Sequence, residues 1–231
     1  MRYTNYSPKT SKPMPSSAFP YGLYLVTDEA ACLGRDFYWV LEEALKGGVQ
    51  MVQLREKQLS MQAFLERAQR VQQLTDRYQV PLIINDALPI AHALGSFGLH
   101  LGQSDVALAT ARAQLGDAVC IGLSIERYEQ VFAPAAQAAD YWGVSPIFAT
   151  PTKQDTQQPW GLQGLMALRR QTTKPLVAIG GIKPIHADAL IQAGADSLAV
   201  VTGICSAESP AKAAETYRKL IDDALASRPR F

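Results

Sequence analysis

The chain has 231 residues, 48% of them hydrophobic and 19% charged, a composition that folds into one large globular domain or two small ones with a substantial core. Its 22 basic residues nearly balance 21 acidic ones, so neither a general nucleic-acid surface nor a polybasic membrane patch is expected. No apolar run approaches the ~18 residues needed to span a bilayer, so no membrane partner is expected either.

Residues 1–20, "MRYTNYSPKTSKPMPSSAFP", are rich in Pro, Ser, Thr and Lys and contain no acid. They lack the apolar core of a secretory signal and read as a flexible N-terminal arm. A transit peptide would want an amphipathic helix, which is not evident. Cys32, Cys120 and Cys205 lie far apart without CxxC spacing. They read as reduced, buried thiols of a cytoplasmic protein.

From Tyr21 onward, short apolar runs alternate with longer amphipathic ones through residues 21–231, with no composition shift that would mark a second domain. The expected strands are "GLYLVT", "MVQLRE", "PLIIN", "GLHLG", "VCIGLS", "YWGVSPI", "PLVAIGG" and "SLAVVTG". Helical patterns fall between them, among them "DFYWVLEEALKGG", "SMQAFLERAQRVQQLTDRYQ" and "RYEQVFAPAAQAA", and the last is "PAKAAETYRKLIDDALAS". Asp36 and Ser60 are expected N-caps, and Gly47, Gly95, Gly116 and Gly194 expected left-handed C-caps. Strands joined by crossover helices pair in parallel, and eight such units predict a single closed (β/α)8 TIM barrel. An open doubly wound sheet would show a GxGxxG turn after the first strand, where this chain reads "LYLVTDEA".

The second strand poses a problem that the barrel resolves. "MVQLREKQLS" places Gln53, Arg55 and Lys57 at every second position, hence on one face, and burying unpaired cations is expensive. At the C-terminal end of a barrel strand that face looks into the mouth, where active sites are built. The third strand brings Asn85 and Asp86 there, and "GQSD" brings Asp105. Two carboxylates with waters and substrate phosphate are how Mg2+ is usually held, whereas each Asp could instead cap the helix that follows it. Ser124 ends the fifth strand. Thr150, Thr152 and Lys153 stand at the base of a long aperiodic segment of the kind that forms lids. Gly180 and Gly181, with Val201, Thr202 and Gly203, occupy the strand 7 and 8 loops that hold phosphate in this fold. One half of the mouth therefore suits a Mg2+-bound diphosphate and the other a phosphate monoester. His92, His100 and His186 have no metal-ligand spacing, and His100 is expected in a hydrogen-bonded core or rim role.

Together, "QLREK" (53–57), "IIND" (83–86), "HLGQSD" (100–105), "GLS" (122–124), "PIFATPTK" (146–153), "AIGGI" (178–182) and "GADSLAVVTGI" (194–204) resemble the thiamine-phosphate synthase family. That resemblance implies a transferase of thiamine biosynthesis that joins an aminopyrimidinylmethyl diphosphate to a thiazole phosphate. It implies that Gln53, Arg55, Lys57, Asn85, Ser124 and Lys153 hold the pyrimidine diphosphate, with Arg55, Lys57, Ser124 and Lys153 acting in catalysis. Asp86 and Asp105 would hold Mg2+, and Thr150, Thr152, Gly181, Val201 and Thr202 the thiazole phosphate. Small-molecule substrates are the expected partners, and a homo-oligomer is compatible with the sequence. Departures are Ser145-Pro146 where the family often has Gly-Pro, Thr202 for a common Ser, and Glu126 where many relatives have His. A thiazole tautomerase-like paralogue, which would want that His, a non-catalytic phosphate-binding barrel and an isomerase are the alternatives.

Overall fold

The computed structural model describes residues 20–149 and 158–228. Eight strands alternate with helices: β1 Leu23–Val26, α1 Phe37–Lys46, β2 Met51–Leu54, α2 Met61–Arg77, β3 Leu82–Asn85, α3 Leu88–Leu94, β4 Gly98–Leu101 and α4 Leu108–Leu115 in the first half. The second half runs β5 Cys120–Ile125, α5 Pro134–Ala138, β6 Tyr141–Val144, α6 Gly161–Arg169, β7 Leu176–Ile179, α7 Ala187–Gln192, β8 Ser197–Val200, α8 Thr202–Cys205 and α9 Pro210–Ser227. Every neighbouring pair is parallel, and β1 pairs with β8, so the sheet closes as the alternation predicts. The N-terminal arm lies outside the described residues, apart from Pro20.

Because side chains alternate along a strand, each strand feeds two cores. Leu25, Val52, Leu54, Ile84 and their equivalents face outward onto the helices, while Tyr24, Met51, Ile83, Cys120, Tyr141 and Val177 fill the barrel interior. Three interior positions, Gly98, Gly122 and Gly143, are glycine for lack of room. A Cβ on Gly122 would lie 2.1 Å from Tyr141 Cζ, and one on Gly143 would lie 2.9 Å from His100 Cε1.

Helix boundaries follow local chemistry. Asp36 accepts from the Trp39 amide and Ser60 from the Ala63 amide, so both expected N-caps form. Gly95, Gly116 and Gly194 have positive φ, but Gly47 does not: at φ −76° it is ordinary, and the left-handed turn falls on Gly48 at φ 94°. The expected helix over "RYEQVFAPAAQAA" is two pieces, a 3-10 turn at Tyr128–Phe132 and then α5. Pro134 causes the break by disfavouring helical backbone at Ala133, which is extended at ψ 142°. The four-residue α8 was not expected. All three cysteines are buried and free, and no helix among the described residues is long and apolar enough to cross a membrane.

The side of the barrel opposite the mouth carries a buried charge cluster. Arg169 donates to Asp196 Oδ2 at 2.8 Å, to the Lys174 carbonyl at 2.8 Å and to the Thr172 carbonyl, and its side chain is only 6% exposed. Arg228 pins the end of α9 to the same carboxylate through Oδ1 at 2.9 Å. Arg169→Ala is expected to destabilise the protein by about 2 kcal/mol in urea unfolding, because buried carbonyls lose their donor. The retained Arg228 contact to Asp196 keeps the cost from being larger.

Candidate active site

A cavity of about 1070 Å3 opens at the C-terminal ends of the strands, larger than a single small ligand needs. Every described residue expected at the mouth lines it, from Gln53 in β2 and Asn85 in β3 to Ser124 in β5 and Val201 and Thr202 after β8. Thr150, Thr152 and Lys153 lie outside the described residues.

β2 ends at Leu54, so Arg55 and Lys57 belong to the following loop and not to the strand. The alternation nevertheless persists, since Arg55 and Lys57 line the cavity while Glu56 between them turns away to Arg67 at 2.6 Å. The Arg55 amide donates to Thr27 Oγ1 at 3.2 Å, and its guanidinium stands 3.6 Å from the Asp28 carboxylate. Lys57 donates to Asp86 Oδ2. Asp86 itself has φ 60°, a left-handed backbone uncommon outside glycine, and its amide is tied to the His100 carbonyl at 2.9 Å. This is local strain of the kind that concentrates at functional sites.

Neither aspartate caps a helix. The N-caps of α3 and α4 are Ala87 and Ala107, without side-chain bonds. Asp105 instead accepts from the Gly102 amide at 2.6 Å. Burial, and then the neighbouring Asp86, hold its carboxyl above the usual carboxylate range. Two carboxylates in one cavity, with Lys57 paired to Asp86, leave negative charge for a further cation, and such a hard-oxygen pair fits Mg2+. No group of three or more His, Cys, Asp or Glu side chains among the described residues forms a self-sufficient metal cage.

Beneath the charged rim runs a buried polar chain. Gln53 Nε2 donates to Tyr24 Oη at 2.9 Å, Tyr24 Oη lies 3.2 Å from Tyr141 Oη, Tyr141 Oη 2.9 Å from His100 Nδ1, and His100 Nε2 3.0 Å from Ser124 Oγ. Burial pushes both phenols up, so both stay protonated. One direction that gives each of these four contacts a hydrogen runs from Gln53 to Ser124. The amide donates to Tyr24, Tyr24 to Tyr141, Tyr141 to Nδ1, and the Nε2–H tautomer of His100 donates to Ser124. The Ser124 hydroxyl hydrogen is then left to point into the cavity.

The opposite half is backbone-rich. Gly180 and Gly181 follow β7 with φ 104° and 66°, and a Cβ on Gly181 would lie 2.9 Å from the Ala149 carbonyl. Thr202 opens α8 beside them. The sequence reading missed Tyr24, Thr27, Asp28, Tyr141 and Lys183 as lining residues. A signal was available for Tyr24, which shares the inward parity of Val26 in β1. Thr27 and Asp28 carry no pattern until the loop after β1 is seen folding over Arg55.

A closed parallel (β/α)8 sheet with a carboxylate- and cation-lined half facing a glycine-rich half is the class of barrel whose mouth suits phosphorylated ligands. The family model described as thiamine monophosphate synthase matches residues 23–204. A thiamine-phosphate synthase of Albidiferax ferrireducens is 51% identical over 200 residues, covering 87% of this chain and 91% of its own. One from Vibrio parahaemolyticus is 45% identical over 202 residues, covering 87% and 98%. The solved thiamine phosphate pyrophosphorylase of Pyrococcus furiosus superposes with TM-score 0.80 at 29% identity, over 89% of this chain and 97% of its own. The chain belongs to the thiamine monophosphate synthase family.

Proposed function

We propose that the protein joins an aminopyrimidinylmethyl diphosphate to a thiazole phosphate, releasing diphosphate and forming thiamine phosphate, with the two phosphorylated groups seated on opposite halves of one mouth. The observation that carries this is the single cavity in which Arg55, Lys57, Asp86 and Asp105 face Gly181 and Thr202.

Arg55, Lys57 and Lys153 hold the diphosphate, and Ser124 donates its hydroxyl hydrogen to an oxygen of the departing group. Asn85 and Gln53, buried in β3 and β2, orient the pyrimidine. Asp86 and Asp105 would hold Mg2+, which when bound neutralises charge on a leaving diphosphate. As the bond from methylene carbon to oxygen breaks, its electron pair leaves on the diphosphate, and the aminopyrimidine delocalises the positive charge on its methylene. The thiazole nitrogen, held close by the contacts of Thr150, Thr152, Gly181, Val201 and Thr202 to its phosphate, then donates its lone pair to that carbon. No protein nucleophile is consumed. The intact acid and cation set argues against a non-catalytic barrel, and Glu126 at the cavity wall argues against a tautomerase that needs His there.

Incubating the protein with both precursors and Mg2+ is expected to give thiamine phosphate and diphosphate in equal amounts, and chelation to stop it. Turnover of the thiazole phosphate alone would contradict the reading.

Asp105 also predicts a pH dependence of stability. Its native-state pKa lies above its unfolded value, so the native state binds the proton more tightly and the unfolded state loses it first. This contribution to stability is fully present below the unfolded value, ~3.9, and is lost as pH rises through the raised native value. Without divalent metal, the urea midpoint of wild-type protein should therefore fall across that window more than that of Asp105→Asn. Parallel profiles would contradict the raised value.

A further inference from the structure

We infer that Arg67, on α2 outside the cavity, is a positioning residue that holds Arg55 and Lys57 toward the diphosphate. Arg67 Nη1 donates to Glu56 Oε1 at 2.6 Å and to Glu29 Oε2 at 2.7 Å. Glu56 is the residue between the two cations, and its side chain is only 8% exposed. Glu29 belongs to the loop after β1, next to Asp28, which faces Arg55.

The consequence is geometric. Across Arg55-Glu56-Lys57 the alternation of β2 is kept, with the middle side chain leaving for Arg67 and the outer two for the cavity. Anchoring the middle one outward fixes the outer two inward, and only Arg55 and Lys57 of the three line the cavity. The inner side of the same seam is closed by the Arg55 amide on Thr27 and the Arg55 guanidinium beside Asp28. Arg67 thus ties the β1 and β2 loops together from behind, with its guanidinium 5.0 Å from the centre of the Phe37 ring. Without it, Glu56 would be a buried carboxylate lacking its cation, and the loop would rotate to bring it to water. That rotation carries Arg55 and Lys57 out of the cavity.

This rests on the proposed function, because the readout is the diphosphate substrate. Arg67→Met keeps the stem and removes the charged fork. Its KM for the pyrimidine diphosphate should rise about tenfold or more, as misplacement of binding groups by an ångström does, while its KM for the thiazole phosphate stays within about twofold. Arg67→Lys, which can still reach Glu56 with one donor, should recover part of the loss. Glu56→Gln, which removes the stranded charge, should soften the effect when combined with Arg67→Met. Equal rises in both KM values, or no rise, would overturn the positioning role while leaving the function standing. A wild-type protein that forms no thiamine phosphate would overturn both.

Discussion

Asp86→Ala should lower turnover by about 100- to 1000-fold, the scale of losing one preorganised electrostatic contact in a transition state, while the affinity for thiazole phosphate changes by less than about threefold. The asymmetry follows from geometry. Asp86 pairs with Lys57 in the half of the mouth proposed to take the diphosphate, and no hydrogen bond or ion pair among the described residues joins its carboxylate to the glycine-rich loops after β7 and β8. Removing the carboxylate takes away a proposed Mg2+ ligand and frees Lys57, whose ammonium then loses its partner. Ala also relieves none of the strain at φ 60°, so the backbone turn that aims this position loses its side-chain contact as well. Thermal unfolding measured alongside separates the two effects, since a folded variant with unchanged thiazole phosphate affinity places the loss in the diphosphate half. Equal loss of both ligands would contradict the division of the mouth.

Gly122→Ala is expected to damage activity from inside the barrel. Its Cβ would sit 2.1 Å from Tyr141 Cζ and 2.5 Å from Tyr141 Oη, distances at which the fully buried ring must move. Overpacking of this kind costs about 3 kcal/mol at its upper range. Tyr141 is also the middle of the chain from Gln53 to Ser124, so displacing its hydroxyl takes the partner from His100 Nδ1 and frees the imidazole that fixes the Ser124 hydroxyl. Turnover should fall about 100-fold even at temperatures where the variant remains folded by circular dichroism. The double variant Gly122→Ala with Tyr141→Leu discriminates the causes: it removes the clashing ring and the polar chain together, so stability should improve without recovery of turnover. Recovery of turnover in that double variant would contradict a role for the chain.

Much of this architecture is legible in the sequence because alternation and punctuation are local. Strand parity alone puts Gln53 inward, and the glycines after β7 announce a turn that other residues cannot make cheaply. The closure of β8 onto β1 is not local, but it follows once eight parallel units are counted, since an open sheet of that length would leave two edges to cover. What parity could not show was which partners meet across strands. His100 looked like one polar residue in an apolar run, and its two hydrogen bonds come from β5 and β6, 24 and 41 residues away. The Asp86 and Asp105 alternatives, helix cap or cavity ligand, were equally open in sequence. The cap is excluded by helices that open at Ala87 and Ala107 without a side-chain bond, with Asp105 folding back on Gly102 instead. Likewise, nothing in the sequence pairs Glu56 with Arg67 of the next helix.

The division of labour at the mouth is tested most directly by a crystal structure of the protein with Mg2+, diphosphate and thiamine phosphate bound together. The account predicts the free diphosphate among Arg55, Lys57, Asp86 and Asp105, and the ester phosphate across the cavity on the backbone at Gly181 and Thr202. Finding both anions on the same half, or the diphosphate away from the two aspartates, would contradict it.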